Sequence, residues 1–186
     1  MEQTTTLRTH VYESSLKWRI ENFLDYEACN ITELSSQTVN FEEIDTEWSL
    51  KIHPKIDKMY YTDPDLHQKF FRFQLNIQDK DSKLPAKRLF KAEIKIDPFG
   101  HHLMSASNRH IVKSRGIYAE PDMVEPIVKV LDYQEIGHEM FFEEVFTFPE
   151  DKFYSYLDAG GMTIFVDVWM KTVEIINTIK DSHHHQ

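Results

Sequence analysis

The chain has 186 residues and a formal net charge of −10, with 41% hydrophobic and 13% aromatic residues. That is the length of one domain with enough apolar content for a real core, and the charge sets most of its surface against nucleic-acid phosphates. No run of about 18 apolar residues occurs, so no membrane-spanning helix is predicted, and the lone cysteine, Cys29, rules out an intrachain disulfide and favours an intracellular setting, nucleus or cytoplasm.

Residues 1–9, "MEQTTTLRT", read as a flexible tail with no apolar run that would make a secretory signal. The domain is expected over 10–174. Its first strand is "LKWRIENF", where Trp18 and Ile20 alternate with Lys17, Arg19 and Glu21. "TEWSLKIHP" puts Trp48, Leu50 and Ile52 on one face, with Ser49, Lys51 and His53 opposite. A long loop with two prolines, "HPKIDKMYYTDPDLH", separates it from "KFFRFQLNI", which aligns Phe71, Phe73, Leu75 and Ile77. After the charged connection "QDKDSKLPAK", "LFKAEIKI" does the same with Phe90, Ala92, Ile94 and Ile96. The 97–132 stretch opens with "DPFGHHLMSASN" and reads as an unusually long, loose connection. "MFFEEVF" follows, with Phe146 in core phase and Phe141 and Glu143 outward.

In "FPEDKFYSYLDAGG", Pro149 suits a first helical position, and Glu150 and Asp151 suit the positive N-terminal end. Phe153 and Leu157, four apart, share one face of the short helix this predicts. "DAGG" is a tight turn before "MTIFVDVWM", whose Met162, Ile164, Val166, Val168 and Met170 form one side and Phe165, Asp167 and Trp169 the other. Residues 175–186, ending in "DSHHHQ", read as a second tail. Seven to eight half-buried strands with one short helix and no crossover helices predict an all-β fold, an antiparallel β-sandwich.

Four aromatic residues fall out of core phase: Phe70, Phe141, Phe165 and Trp169. The last two are expected to lie under a loop or tail. The histidines show no ligand spacing that predicts a metal site, Cys29 has no nucleophile signature around it, and five glycines form no phosphate loop. No catalytic residue, metal or cofactor is predicted.

Three stretches, in order and at matching spacing, resemble the MATH domain, the meprin and TRAF homology fold. "LKWRIENF" is similar to its first-strand signature, "SSQTVNFEEIDTEWSLKIHPK" to its second, and "FPEDKFYSYLDAGGMTIFVDVWM" to its closing helix, turn and strand. The nearest flavour is the substrate-binding domain of speckle-type POZ-like proteins. The resemblance implies a non-catalytic module that holds short, extended client peptides in a shallow groove on one sheet. It is expected to be the substrate-recognition part of a ubiquitin-ligase adaptor, or else a receptor-signalling adaptor domain. A carbohydrate-binding sandwich is the reading from another class. Oligomerisation would need a BTB domain or coiled coil, which this chain does not contain.

Aligned with the family, Phe70 and Phe90 fall at groove aromatics, Tyr133 at a groove tyrosine, and Phe141 where the family usually has tryptophan. The chain departs from the family where a Trp-Gly-Phe often lines the groove, since "EMFFEEVF" stands there. Related grooves that take Ser/Thr-rich peptides carry lysine at this place. Here Glu139, Glu143 and Glu144 replace it, so the client peptide is expected to carry Lys or Arg beside an apolar residue.

Overall fold

The computed structural model describes residues 1–54, 68–80, 87–99, 124–137 and 139–181. Nine strands occur among them: β1 (Glu2–Ile20), β2 (Leu34–Ser35), β3 (Val39–Asn40), β4 (Thr46–His53), β5 (Gln68–Asp79), β6 (Lys87–Ile96), β7 (Ile127–Glu135), β8 (Glu139–Pro149) and β9 (Met162–Lys180). They form two antiparallel sheets. One runs β1-β9-β6-β7; the other runs β2-β4-β5-β8, with β3 also paired to β4.

The period-two pattern explains the layers. Trp48, Leu50 and Ile52 of β4, Phe71, Phe73, Leu75 and Ile77 of β5, and Phe142, Phe146 and Phe148 of β8 face inward from one sheet. Leu16 and Ile20 of β1, Phe90, Ala92, Ile94 and Ile96 of β6, and the even-numbered residues Met162 to Met170 of β9 face them from the other. All belong to one core cluster, so the fold is the expected antiparallel β-sandwich. Polar links also cross it. Trp48 Nε1 donates to Ser14 Oγ at 3.1 Å. Arg88 of β6 is ion-paired with Asp79 at the end of β5, the two side chains 5% and 8% exposed.

One end of the sandwich is closed by rings. Phe23, at the start of helix α1 (Phe23–Ala28), meets Phe71 edge-on at 5.0 Å, and Phe71 meets Phe148 at 5.2 Å. Phe153 and Tyr156 join them from a 3₁₀ helix, Glu150–Tyr156. The helix foreseen near Pro149 thus takes the tighter 3₁₀ form, and α1 is an addition. After it, Asp158 and Gly161 exchange both backbone hydrogen bonds at 2.8 Å around Ala159 (φ 49°) and Gly160 (φ 82°). That is a two-residue hairpin loop with both central residues left-handed.

The predicted tails are paired instead. Residues 2–9 run antiparallel to 173–180 in unbroken register, from Glu2 opposite Lys180 to Thr9 opposite Val173. β6 pairs with β9 only as far as Val173. Beyond that point β1 and β9 pair as a ribbon with no third strand among the described residues. Residues 182–186, most of 97–132, and the loops at 55–67 and 81–86 lie outside the described residues, as do His101, His102, His110 and His138.

Candidate functional site

β8 reads Glu-Met-Phe-Phe-Glu-Glu-Val-Phe-Thr-Phe-Pro. Its inward residues anchor it, and Phe142 is the key one. Its ring stacks on Phe90 across the sandwich at 6.0 Å and 19°. Pinning Phe142 inward turns Phe141 outward, because neighbours on a strand point to opposite faces. Phe141 is 61% exposed, a large apolar ring in water. Glu143, two residues on, shares its face and is also exposed.

The pairing register supplies the floor beside them. Phe141 lies opposite Asn76, with Ser49 on the next strand. Glu143 lies opposite Gln74, followed by Lys51, whose ammonium is taken by Glu33 at 3.1 Å. Glu47 is likewise neutralised by Lys80 at 2.9 Å. Glu139, Glu143 and Glu144, all exposed, form no ion pair with any described residue. The far side of β8 faces no other described strand, since β8 ends its sheet. Among the described residues the site therefore combines an unpaired backbone edge, one exposed ring and, in phase with that ring, the unneutralised carboxylates of Glu139 and Glu143, with Glu144 in the opposite phase.

The other predicted site residues do not join this cluster. Phe90 is a correction. It is 0% exposed in the inter-sheet core, so it cannot line an open groove. The resemblance placed it in the groove, while its own alternation put it in core phase. Tyr133, 39% exposed, belongs to β7, the terminal strand of the other sheet. There Lys91 and Lys171 hold their ammonium groups 5.9 and 5.7 Å from its ring centre. Phe70 sits on β5 opposite Thr147. That is the sheet of Phe141, but six residues along from Asn76, or about 20 Å at strand rise; its side chain lies outside the described set. One channel lined by Phe70, Phe90, Tyr133 and Phe141 is not assembled.

Phe165 and Trp169 do point outward, and among the described residues lysines approach their rings; the loops and tail expected over them lie largely outside the described residues. Lys17 and Lys95 approach the Phe165 ring at 5.7 and 5.9 Å, and Lys91 lies 5.4 Å from the Trp169 ring. Trp169 Nε1 donates to Glu13 at 2.8 Å. The signal was legible in the alternation, since Lys17, Lys91 and Lys95 lie on the same outer face as the rings; long lysine stems regularly cover apolar surface this way.

Among the described residues no group of three or more His, Cys, Asp or Glu converges to hold a metal ion, and no helix is long and apolar enough to cross a membrane. Cys29 is a free, exposed thiol. One titratable group is displaced: burial, then the nearby Glu125 charge, pushes the Tyr156 phenol above its ordinary value, and its hydroxyl donates to the Glu125 carbonyl at 2.7 Å.

No protein-family model matches the sequence, and no curated protein matches it. Among solved structures the chain is similar to TRAF5 of Notothenia coriiceps, with a TM-score of 0.43 at 14% identity, over 91% of this chain and 77% of that one. At that identity the likeness is one of overall shape, and no partner or ligand is carried over from it.

Proposed function

We propose that this chain is a non-catalytic peptide-recognition module of the MATH type, in which an extended client segment adds to the free edge of β8. The observation that carries the reading is Phe141, exposed beside Glu143 on a strand that ends its sheet. Backbone pairing along β8 supplies sequence-independent affinity, and alternate side chains of the client read the outer face. Phe141 offers area at small rotamer cost. Glu139, Glu143 and Glu144 favour a client with Lys or Arg beside an apolar residue. The substrate-recognition part of a ubiquitin-ligase adaptor is the setting that fits the three sequence signatures.

A short peptide on so shallow a surface loses much of its own chain entropy, so a Kd on the order of 1–100 μM is expected. The test is a peptide array with paired basic and acidic versions of each sequence, followed by titration. Phe141→Ala should weaken binding by about 30-fold, the loss typical of an aromatic anchor. Glu143→Lys should invert the preference between basic and acidic peptides. A wild-type preference for acidic or phosphorylated peptides would overturn the reading, as would unchanged binding by both variants.

A further inference from the structure

The two sheets present four terminal strand edges, and three are blunted. The β2 and β3 side is made of two-residue strands. The β7 ladder is broken by a register shift between Phe90 and Ala92, and the strand carries Lys129, Asp132 and Glu135. β8 carries Glu139, Glu143 and Glu144. Short strands, register breaks and edge charges guard a sheet against pairing with its like; the carboxylates of β8 oppose a second copy of this acidic chain while still admitting the basic client proposed above. β1 lacks them. It is 19 residues long and paired to β9 in one uninterrupted register. From Gln3 to Tyr12 it contains no proline, glycine, lysine or carboxylate, with four threonines and Val11 favouring extended chain.

Below Thr9 the ribbon has two strands among the described residues, and a two-stranded ribbon is marginal in water, whereas three or more strands with an apolar face are not. An apolar face is present: Leu7 and Ile175 lie directly opposite each other, Ile179 shares their side four rungs further out, and all three are exposed.

We propose that β1 pairs antiparallel with β1 of a second copy about a two-fold axis at Thr5, joining the two ribbons into a four-stranded sheet. Charge complementarity selects this partner and this register. Two copies of a chain of net charge −10 repel, so contact favours a stretch free of negative excess, and residues 1–9 carry one acid, Glu2, and one base, Arg8. With Thr5 on the axis, Glu2 of each copy stands opposite Arg8 of the other, Gln3 opposite Leu7, and Thr4 opposite Thr6. Directly opposed residues share a face, so both ion pairs lie on one side and the Leu7, Ile175 and Ile179 side chains of both copies on the other. The Arg8 side chain is 71% exposed and 3.8 Å from Glu174 of its own ribbon, and its five donors can serve a second carboxylate. No additional domain is required, unlike the expectation from sequence. Nine rungs of strand pairing bury less than the roughly 1,200 Å² of a stable interface, so the dimer is weak, with a Kd on the order of 10–100 μM.

Sedimentation of the full chain from low micromolar to about 1 mM tests this. The wild type should pass from monomer to dimer across that range. Arg8→Glu and Glu2→Arg each place two like-charged pairs in the interface and should each weaken self-association by about tenfold or more. An equimolar mixture of the two variants restores both opposite-charge pairs and should form heterodimers as tight as the wild-type dimer. A monomeric wild type throughout the range overturns the proposal. So does an Arg8→Glu variant that dimerises as the wild type does, or a mixture that stays monomeric where the wild type is dimeric.

Discussion

Replacing Phe90 with alanine separates a core residue from a groove residue. The ring is fully buried, stacked on Phe142 and opposite Met170 of β9, in a space bounded by two sheets whose backbones are held by ladder hydrogen bonds. Such walls relax little, so the cavity persists. Phe→Ala substitutions in cores cost about 3–5 kcal/mol, and the rigid surroundings argue for roughly 4 kcal/mol here. A chain of this size loses about 2–4 °C of Tm per kcal/mol, giving a fall of roughly 8–16 °C. Urea unfolding followed by circular dichroism should show a lower midpoint at unchanged slope. Phe142→Ala and the double variant complete a cycle, and the pair should couple by about 0.5–1.5 kcal/mol beyond its area. Peptide affinity, measured well below the transition, should change far less than in Phe141→Ala. A Phe90→Ala protein that loses under about 1 kcal/mol yet binds peptide as poorly as Phe141→Ala would refute this assignment.

Three further outcomes follow from particular contacts. Arg88→Met removes the guanidinium from beside the buried Asp79 carboxylate and should cost about 3–5 kcal/mol by denaturant unfolding, much of it recovered in Arg88→Met/Asp79→Leu. Ala159, a non-glycine residue at φ 49° in the β9 turn, should be improved by Ala159→Asn, raising stability by about 0.5–1 kcal/mol in a thermal melt. Tyr156, with its folded pKa raised, contributes stability that is complete below the unfolded tyrosine value near 10 and is lost as pH rises through the folded value. Tyr156→Phe should therefore flatten the alkaline loss of stability that begins near the unfolded tyrosine value, about pH 10, while costing about 1 kcal/mol at neutral pH for the hydrogen bond to the Glu125 carbonyl.

Alternation made the sandwich legible. Trp48, Leu50 and Ile52, Phe71 to Ile77 at odd numbers on β5, Phe90 to Ile96 at even numbers on β6, and Met162 to Met170 at even numbers on β9 are buried because a sheet with one wet face must sort its residues by twos. The same rule settled Phe90 against the family alignment. It gave no account of residues 2–9, whose glutamate, glutamine, threonines and arginine put polar groups on both faces; the clue there was β-branched composition, matched by Val173, Ile175, Ile176 and Thr178 on the partner strand. Nor could it say which strands end a sheet, and that is decided by pairing between distant segments. Phe141 and Glu143 were therefore readable as outward residues, but their position on a free edge was not. Tyr133 was readable as a ring, while the sheet to which it belongs was set by β7 pairing with β6.

The ribbon also decides how the molecule responds to load. Glu2 and Lys180 face each other across its tip, so tension applied through both flanks pulls the strands apart like a zipper. Each rung then carries the full force alone, and none shares it as in a sheared ladder. The seven rungs that precede Thr9 should open one after another at small forces, and resistance should rise where β6 begins to hold β9. A tether on this chain would thus have a compliant stage in series with a stiff one, both written in a single pair of strands.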